Sequence, residues 1–68
     1  MFPFKKRPIK KGDTVRLVHS FNVGNYSFQK GDICTITYAG LFDVDIELKG
    51  NPNVWATDLS YNDVEKIE

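Results

Sequence analysis

Apolar and polar residues alternate along most of the chain, a pattern typical of half-buried β-strands. The alternation predicts strands over residues 14–18, 33–38 and 43–48, in which every second side chain is apolar. Two shorter strands are expected at 54–56 and 64–67. No stretch of the sequence shows the sustained 3.6-residue period of an amphipathic helix. The pattern therefore predicts an all-β fold.

Turn-forming residues separate these segments, and their positions predict the connections. Residues 50–53, Gly-Asn-Pro-Asn, have the composition of a turn. Residues 19–29 combine glycine and asparagine with aromatics, which predicts a long, structured loop. Residues 57–63 predict a single helical turn with Thr57 or Asp58 as its cap. Five short strands in so short a chain predict a barrel closed on itself, because closure removes exposed strand edges.

The tripeptide Lys-Gly-Asp occurs twice, at residues 11–13 and 30–32, each time directly before a predicted strand. Glycine permits backbone angles that other residues avoid, and aspartate accepts hydrogen bonds from nearby backbone N–H groups. The lysine stays in water and discourages pairing at a strand edge. We interpret both copies as sharp turns that start strands, since one glycine is too few for a phosphate-binding loop.

The second copy lies in FQKGDICTITY, residues 28–38, which resembles the SH3 segment where the long RT loop ends and a central strand begins. Residues 12–68 are similar to the whole SH3 layout, from a first strand and long aromatic loop to a helical turn and a closing Val-x-x-Ile strand. The resemblance implies an SH3-like, five-stranded, mostly antiparallel barrel with one short 3-10 turn before the last strand. It also implies a core made of Val15, Leu17, Phe28, Cys34, Ile36, Ile46 and Val64.

The residues with which SH3 domains bind proline-rich peptides are mostly missing. The Ala-Leu-Tyr-Asp-Tyr run is replaced by Leu-Val-His-Ser-Phe at residues 17–21, and the tryptophan of the third strand by Leu-Phe-Asp at 41–43. Only Tyr61 remains near the final helical turn. The chain is thus more similar to divergent prokaryotic and phage SH3-like barrels, KOW-type domains and the SH3-like subunit of photosystem I. Such barrels are mostly docking or nucleic-acid modules, so the resemblance implies a binding role.

The length of 68 residues suffices for one domain with a small core. One cysteine and one histidine cannot form an internal disulfide or a Cys/His zinc site. No segment is long and apolar enough to span a bilayer, and the N-terminus lacks the apolar stretch of a signal peptide. We therefore expect a cytoplasmic protein of a bacterium or an infected host cell, with no cofactor, metal or membrane association. The oligomeric state stays open.

Nine basic and nine acidic residues cancel, but the basic ones concentrate at the N-terminus. Residues 1–11 are predicted to form a flexible basic arm, and residues 12–68 the barrel. The candidate residues for gripping nucleic-acid phosphates are Lys5, Lys6, Arg7, Lys10, Lys11 and Arg16. The alternative is that the arm is a solvated leader, or that it folds onto the acidic C-terminal residues.

Aromatic residues are the main candidates for a binding surface. Phe28 and Tyr38 are expected to be buried, whereas exposed tyrosine and tryptophan are favoured as binding anchors. The predicted partner-binding residues are Phe21, Tyr26, Phe42, Trp55 and Tyr61. For Trp55 the alternative is that it is the largest residue of the core.

No set of residues in the sequence predicts catalysis. His19 and Cys34 are the sole pairing of base and nucleophile, and Cys34 falls on the predicted inward face. Asp43 and Asp45 both fall on the exposed side of a strand, which indicates solvated charge. We therefore expect a non-enzymatic module that docks on a protein partner. A nucleic-acid-binding barrel and a structural subunit of a larger assembly are the two alternatives.

Overall fold

The structure, a computed structural model, describes residues 8–67, and these form an all-β fold. The described elements are β1 Thr14–Leu17, β2 Phe21–Val23, β3 Tyr26–Phe28, β4 Ile33–Ala39, β5 Asp43–Leu48, β6 Asn51–Ser60, the 3-10 turn Tyr61–Asp63 and β7 Val64–Lys66. No helix within this range is long and apolar enough to cross a membrane. The prediction of an all-β chain with one 3-10 turn before the last strand is confirmed.

Five of the strands form one antiparallel sheet in the order β6-β5-β4-β1-β7, and β2 and β3 form a separate hairpin. The prediction of a closed barrel is wrong, because no ladder joins β6 to β7 within the described residues. In a closed barrel the two outermost strands of the sheet pair with each other, and here these strands are β6 and β7. β7 has three residues and pairs with β1 over its whole length. The sheet therefore keeps two edge strands.

Both Lys-Gly-Asp copies form the same turn, so the prediction of two sharp turns is confirmed. In each copy the aspartate N–H donates to the carbonyl three residues earlier, and the aspartate carboxylate accepts the N–H of that earlier residue. These two distances are 3.0 and 2.8 Å between Asp13 and Lys10, and 3.0 and 2.9 Å between Asp32 and Gln29. The intervening glycine has a φ of 95° in both turns, as the third position of a type II turn requires.

The core lies between the inward face of the sheet and the hairpin. Its buried side chains are Val15, Leu17, Phe28, Cys34, Ile36, Val44, Ile46, Ala56 and Val64. All seven core residues implied by the SH3 resemblance are among them, and the strand alternation also predicted Val44. Burying one large aliphatic or aromatic side chain contributes about 1.5–3 kcal/mol, so this cluster is the main source of stability.

A β-bulge in β4 places Tyr38 on the outer face, so the prediction that it is buried is wrong. The register of β4 against β5 shifts between Ile36 and Tyr38, which leaves Thr37 as an extra residue. The alternation reverses at this point. Ala39 packs against the core, whereas 52% of Tyr38 is exposed.

β6 is much longer than the predicted strand at 54–56. The chain turns one residue earlier than expected, at Lys49 and Gly50, so the predicted turn residues 51–53 already belong to β6. Its register against β5 is irregular in two places. One lies between Asn51 and Trp55, and the other lies near the end of β6, where Asp58 adopts a φ of 61° and its N–H donates to Asp45 Oδ1 at 3.0 Å. The carboxylate of Asp45 thus supports the irregular part of β6.

The predicted helical turn exists, but it begins later than expected. Thr57 and Asp58 are strand residues, and Ser60 is the cap. The Ser60 hydroxyl accepts the N–H of Asn62 at 3.0 Å, and the Asp63 carboxylate accepts the N–H of Ser60 at 3.0 Å. This reciprocal capping box satisfies two backbone donors that would otherwise lack partners at the start of the turn.

Candidate functional site

Residues 19–29, predicted as a structured loop, contain the β2–β3 hairpin. Its turn lies at Gly24 and Asn25, where the glycine has a φ of 57°. The buried ring of Phe28 stacks on Phe21, with centroids 5.0 Å apart, and forms a T-shaped pair with Tyr26, with centroids 4.8 Å apart. These three rings fix the hairpin on the core and hold Tyr26 at its rim, where 37% of the residue is exposed.

A groove lies between the tip of this hairpin and β6. We call it the edge groove, and its volume is about 440 Å³, within the usual range for ligand sites. The hairpin forms one wall and β6 the other. Its lining residues are Val23, Asn25, Tyr26, Asn53, Val54 and Trp55.

The edge groove runs along the side of β6, not over one face of the sheet. Successive side chains of a strand point to opposite faces. Asn53, Val54 and Trp55 are consecutive, and the register shift between Asn51 and Trp55 leaves Asn53 and Val54 outside the ladder with β5, so the groove follows the side of β6. β6 pairs with β5 along its other edge, and within residues 8–67 no backbone hydrogen bond reaches the groove side. Val54 packs on the core, whereas 58% of Trp55 is exposed.

Carboxylates lie beside this groove on the outer side of β5. Asp43, Asp45 and Glu47 alternate with buried residues, so they share the outward side, and we call them the acidic face. The register places Glu47 opposite Trp55. In the part of the chain that the structure describes, none of the three forms an ion pair. The surface next to the indole is therefore negatively charged.

A second apolar feature is the turn between β4 and β5. Leu41 and Phe42 form its tip, with exposed fractions of 89% and 85%. The Tyr61 hydroxyl donates to the carbonyl of Gly40 at 2.5 Å and holds the base of the turn. The turn thus presents two large apolar side chains to solvent from a fixed base.

The structure divides the five predicted partner-binding residues among three places. Tyr26 and Trp55 meet at the edge groove, Phe42 and Tyr61 belong to the β4–β5 turn, and Phe21 is half-buried against the core. The sequence interpretation missed four groove residues and one at the turn tip, namely Val23, Asn25, Asn53, Val54 and Leu41. The composition around Asn53 indicated a turn, which concealed its place on an edge strand.

The predicted nucleic-acid residues lie partly outside the described residues. This applies to Lys5, Lys6 and Arg7. Lys10 and Lys11 are exposed, and the Arg16 guanidinium bonds to the Glu65 carboxylate at 2.9 Å. Arg16 therefore already has an acidic partner.

The start of the described chain is attached to the body around Asp13. Ile9 packs against the core, and the Lys66 ammonium lies 3.3 Å from the Pro8 carbonyl and 3.2 Å from Asp13 Oδ2. The Lys10 N–H, together with the Lys66 charge, holds the pKa of the Asp13 carboxyl below its usual range. Residues 8–11 thus contact the sheet through both apolar and polar groups.

Cys34 and His19 do not meet in a shared cleft. Cys34 is buried, as predicted, and burial together with the nearby Asp32 charge raises the pKa of its thiol to about 11. His19 is exposed, with Nε2 3.9 Å from Asp63 Oδ1. Among residues 8–67, no group of three or more His, Cys, Asp or Glu residues is placed to hold a metal ion.

Comparison of the chain with protein-family models, with curated proteins and with solved structures found no match. A proposal about function therefore rests on the edge groove, the acidic face and the exposed β4–β5 turn.

Proposed function

We propose that this chain is a non-enzymatic, SH3-like binding module that docks on a protein partner through the edge groove. The SH3-like assignment is supported by the order of elements: a first strand, an aromatic hairpin, a Lys-Gly-Asp turn, three strands, a 3-10 turn and a last strand. It is also supported by burial of every core residue that the resemblance implied. The departures from SH3 domains at residues 17–21 and 41–43 argue for a ligand other than a proline-rich peptide.

The observation that carries the docking proposal is the exposure of Trp55 and Tyr26 along one groove. Tyrosine and tryptophan bury large areas on binding with little loss of conformational entropy, and they dominate interface energetics. Covering on the order of 100 Å² of the indole would contribute about 2.5 kcal/mol. The β4–β5 turn, with Leu41 and Phe42, offers a second apolar contact.

A protein ligand is better supported than a nucleic acid. Phosphate-binding surfaces present clustered basic side chains, whereas the edge groove lies beside the acidic face. Of the described basic candidates, Arg16 is engaged by Glu65. A nucleic acid would have to bind elsewhere, through the lysines before β1.

Affinity purification with quantitative mass spectrometry tests the proposal. The intact chain is compared with Trp55→Ala and Tyr26→Ala, and with Lys30→Ala, an exposed control on the second Lys-Gly-Asp turn. The intact chain and Lys30→Ala should capture the same proteins in similar amounts. With either groove variant, we expect the captured amount of these proteins to be about tenfold lower, which corresponds to about 1.4 kcal/mol of binding free energy. Thermal melts first establish that all variants are folded.

Two outcomes would contradict the docking proposal. One is that the groove variants capture the same proteins in the same amounts as the intact chain. The other is tight oligonucleotide binding at low salt that is lost on deletion of residues 1–11, which would favour the nucleic-acid alternative.

A further inference from the structure

The groove side of β6 is a strand edge that lacks a partner within the described residues. An edge of this kind presents unpaired N–H and C=O groups to which another extended chain can add. Proteins protect such edges with prolines, bulges and charges. In β6, Pro52 stands near one end and the Asp58 bulge near the other. Residues 53–57 lie between them, and in this stretch Trp55 and Ala56 keep consecutive partners on β5, whereas register shifts on either side leave residues 52–54 and 57–58 outside the ladder. Asn53, Val54 and Trp55 line the edge groove.

The two sides of this stretch differ in chemistry. Val54 faces the core side, where the groove is completed by Val23 and Tyr26 of the hairpin. Trp55 faces the outer side and lies opposite Glu47 of the acidic face. Because side chains of an added strand also alternate, one set would meet apolar residues and the other set the indole and carboxylates.

The charge of the acidic face determines which partner fits. Lysine or arginine side chains from an added strand would neutralise carboxylates that have no cationic partner in the described chain. They would also lie near the face of Trp55, where a cation is attracted to the ring. A second copy of this chain fits less well, since pairing through β6 would place two acidic faces on one joined sheet and would bring no cluster of cations to either.

We infer that the edge groove binds an extended, basic segment of a partner protein, which adds as a strand to the free edge of β6. The segment alternates apolar and basic residues, with the apolar ones toward Val54 and Tyr26 and the basic ones toward Trp55 and Glu47. This inference rests on the proposed docking function and adds the binding mode and the chemistry of the partner.

NMR chemical shifts of the backbone amides, measured on the ¹⁵N-labelled full chain during titration with a peptide, test this inference. The probe is a blocked hexapeptide in which valine and lysine alternate. We expect shift changes confined to residues 51–60, the hairpin tip and the Trp55 indole, and weaker binding at high salt. A peptide with glutamate in place of lysine should not bind. The inference would be overturned if the groove residues showed no shift changes, or if the glutamate peptide bound as tightly as the lysine peptide.

Methylated peptides distinguish strand addition from contact by side chains alone. In one peptide the valine amides are N-methylated, and in the other the lysine amides. Only one set of amides can point toward β6, so one peptide should lose at least about tenfold in affinity while the other retains its binding. Unchanged affinity of both would disprove strand addition, while the loss of captured proteins with Trp55→Ala would still support docking.

Variants of the chain test the charge argument. Glu47→Gln should weaken binding of the valine–lysine peptide, whereas Glu65→Gln, an exposed carboxylate on β7 at the opposite edge, should leave it unchanged. Equal effects of the two substitutions would contradict the role of the acidic face. Shifts at residues 51–60 that depend on protein concentration without peptide would assign the edge to a second copy and overturn the inference.

Discussion

Cys34 shows how a single position is determined by its neighbours in the sheet. Its strand partners are Val15 on β1 and Leu48 on β5, and its side chain is fully buried. Strand alternation alone was enough to predict this inward position. This environment raises the pKa of the Cys34 thiol, because burial in a low-dielectric surrounding and the Asp32 charge both disfavour the thiolate.

We predict that the Cys34 thiol is protected in the folded protein. At pH 8 a thiol reagent such as Ellman's reagent should react quickly only after unfolding in urea, because the buried thiol stays protonated. The folded pKa of about 11 lies above the value near 8.5 for a free cysteine, so the folded state holds its proton more tightly. This contribution to stability is complete below about pH 8.5 and is lost as the pH rises toward 11.

Urea unfolding of the intact chain and Cys34→Ala at pH 7 and pH 10 measures this contribution. The intact chain should lose more stability between the two pH values than the variant does. Equal losses, or rapid labelling of the folded protein at pH 8, would show that the thiol is not buried as described.

At the scale of elements, the repeated turns illustrate what sequence predicts well. The Lys-Gly-Asp turns can be predicted from local sequence, since the positive φ of the glycine and the hydrogen bonds of the aspartate involve residues at most three positions apart. The irregularities at Thr37, at residues 52–54 and at Asp58 are different. They lie where β5 pairs with its two neighbours, and no local pattern of the sequence marks them. This is why alternation predicted Cys34 correctly and Tyr38 incorrectly.

We predict that Gly12→Ala and Gly31→Ala each destabilise the fold by about 1–2 kcal/mol, because a Cβ disfavours their positive φ. A Cβ added at either position would meet no atom within 4 Å, so the cost is in the backbone alone. Asparagine, which tolerates the left-handed region better, should cost less than alanine at both sites. Urea denaturation measures these differences. Alanine and asparagine variants as stable as the intact chain would contradict the turn geometry.

Replacing Asp58 with glycine should change the stability in the opposite direction to replacing Gly12 or Gly31 with alanine. It is a non-glycine residue with a φ of 61°, so Asp58→Gly relieves backbone strain. We expect a stability change between zero and about 1 kcal/mol in favour of the variant, and a loss for Asp58→Ala. Asp58→Asn separates the effect of charge from that of conformation. A clear loss of stability for the glycine variant would disprove the strained bulge.

For the whole molecule, the candidate site depends on contacts between residues distant in sequence. The edge groove joins residues 23–26 of the hairpin to residues 53–55 of β6. The sequence identified Tyr26 and Trp55 as exposed aromatics, but the packing of Phe28 and Phe21 on the core is what brings the hairpin to the sheet. Whether a strand is an edge also depends on the pairing of the whole sheet, so the site could not be derived from local patterns.

The fluorescence of Trp55, the single tryptophan of the chain, tests the docking surface most directly. A captured partner that lacks tryptophan, or has its tryptophans replaced by phenylalanine, is titrated into the intact protein. If the edge groove is the docking surface, emission shifts to shorter wavelength on binding, because the half-exposed indole leaves water. Saturable binding of the partner with no change in Trp55 emission would contradict the account.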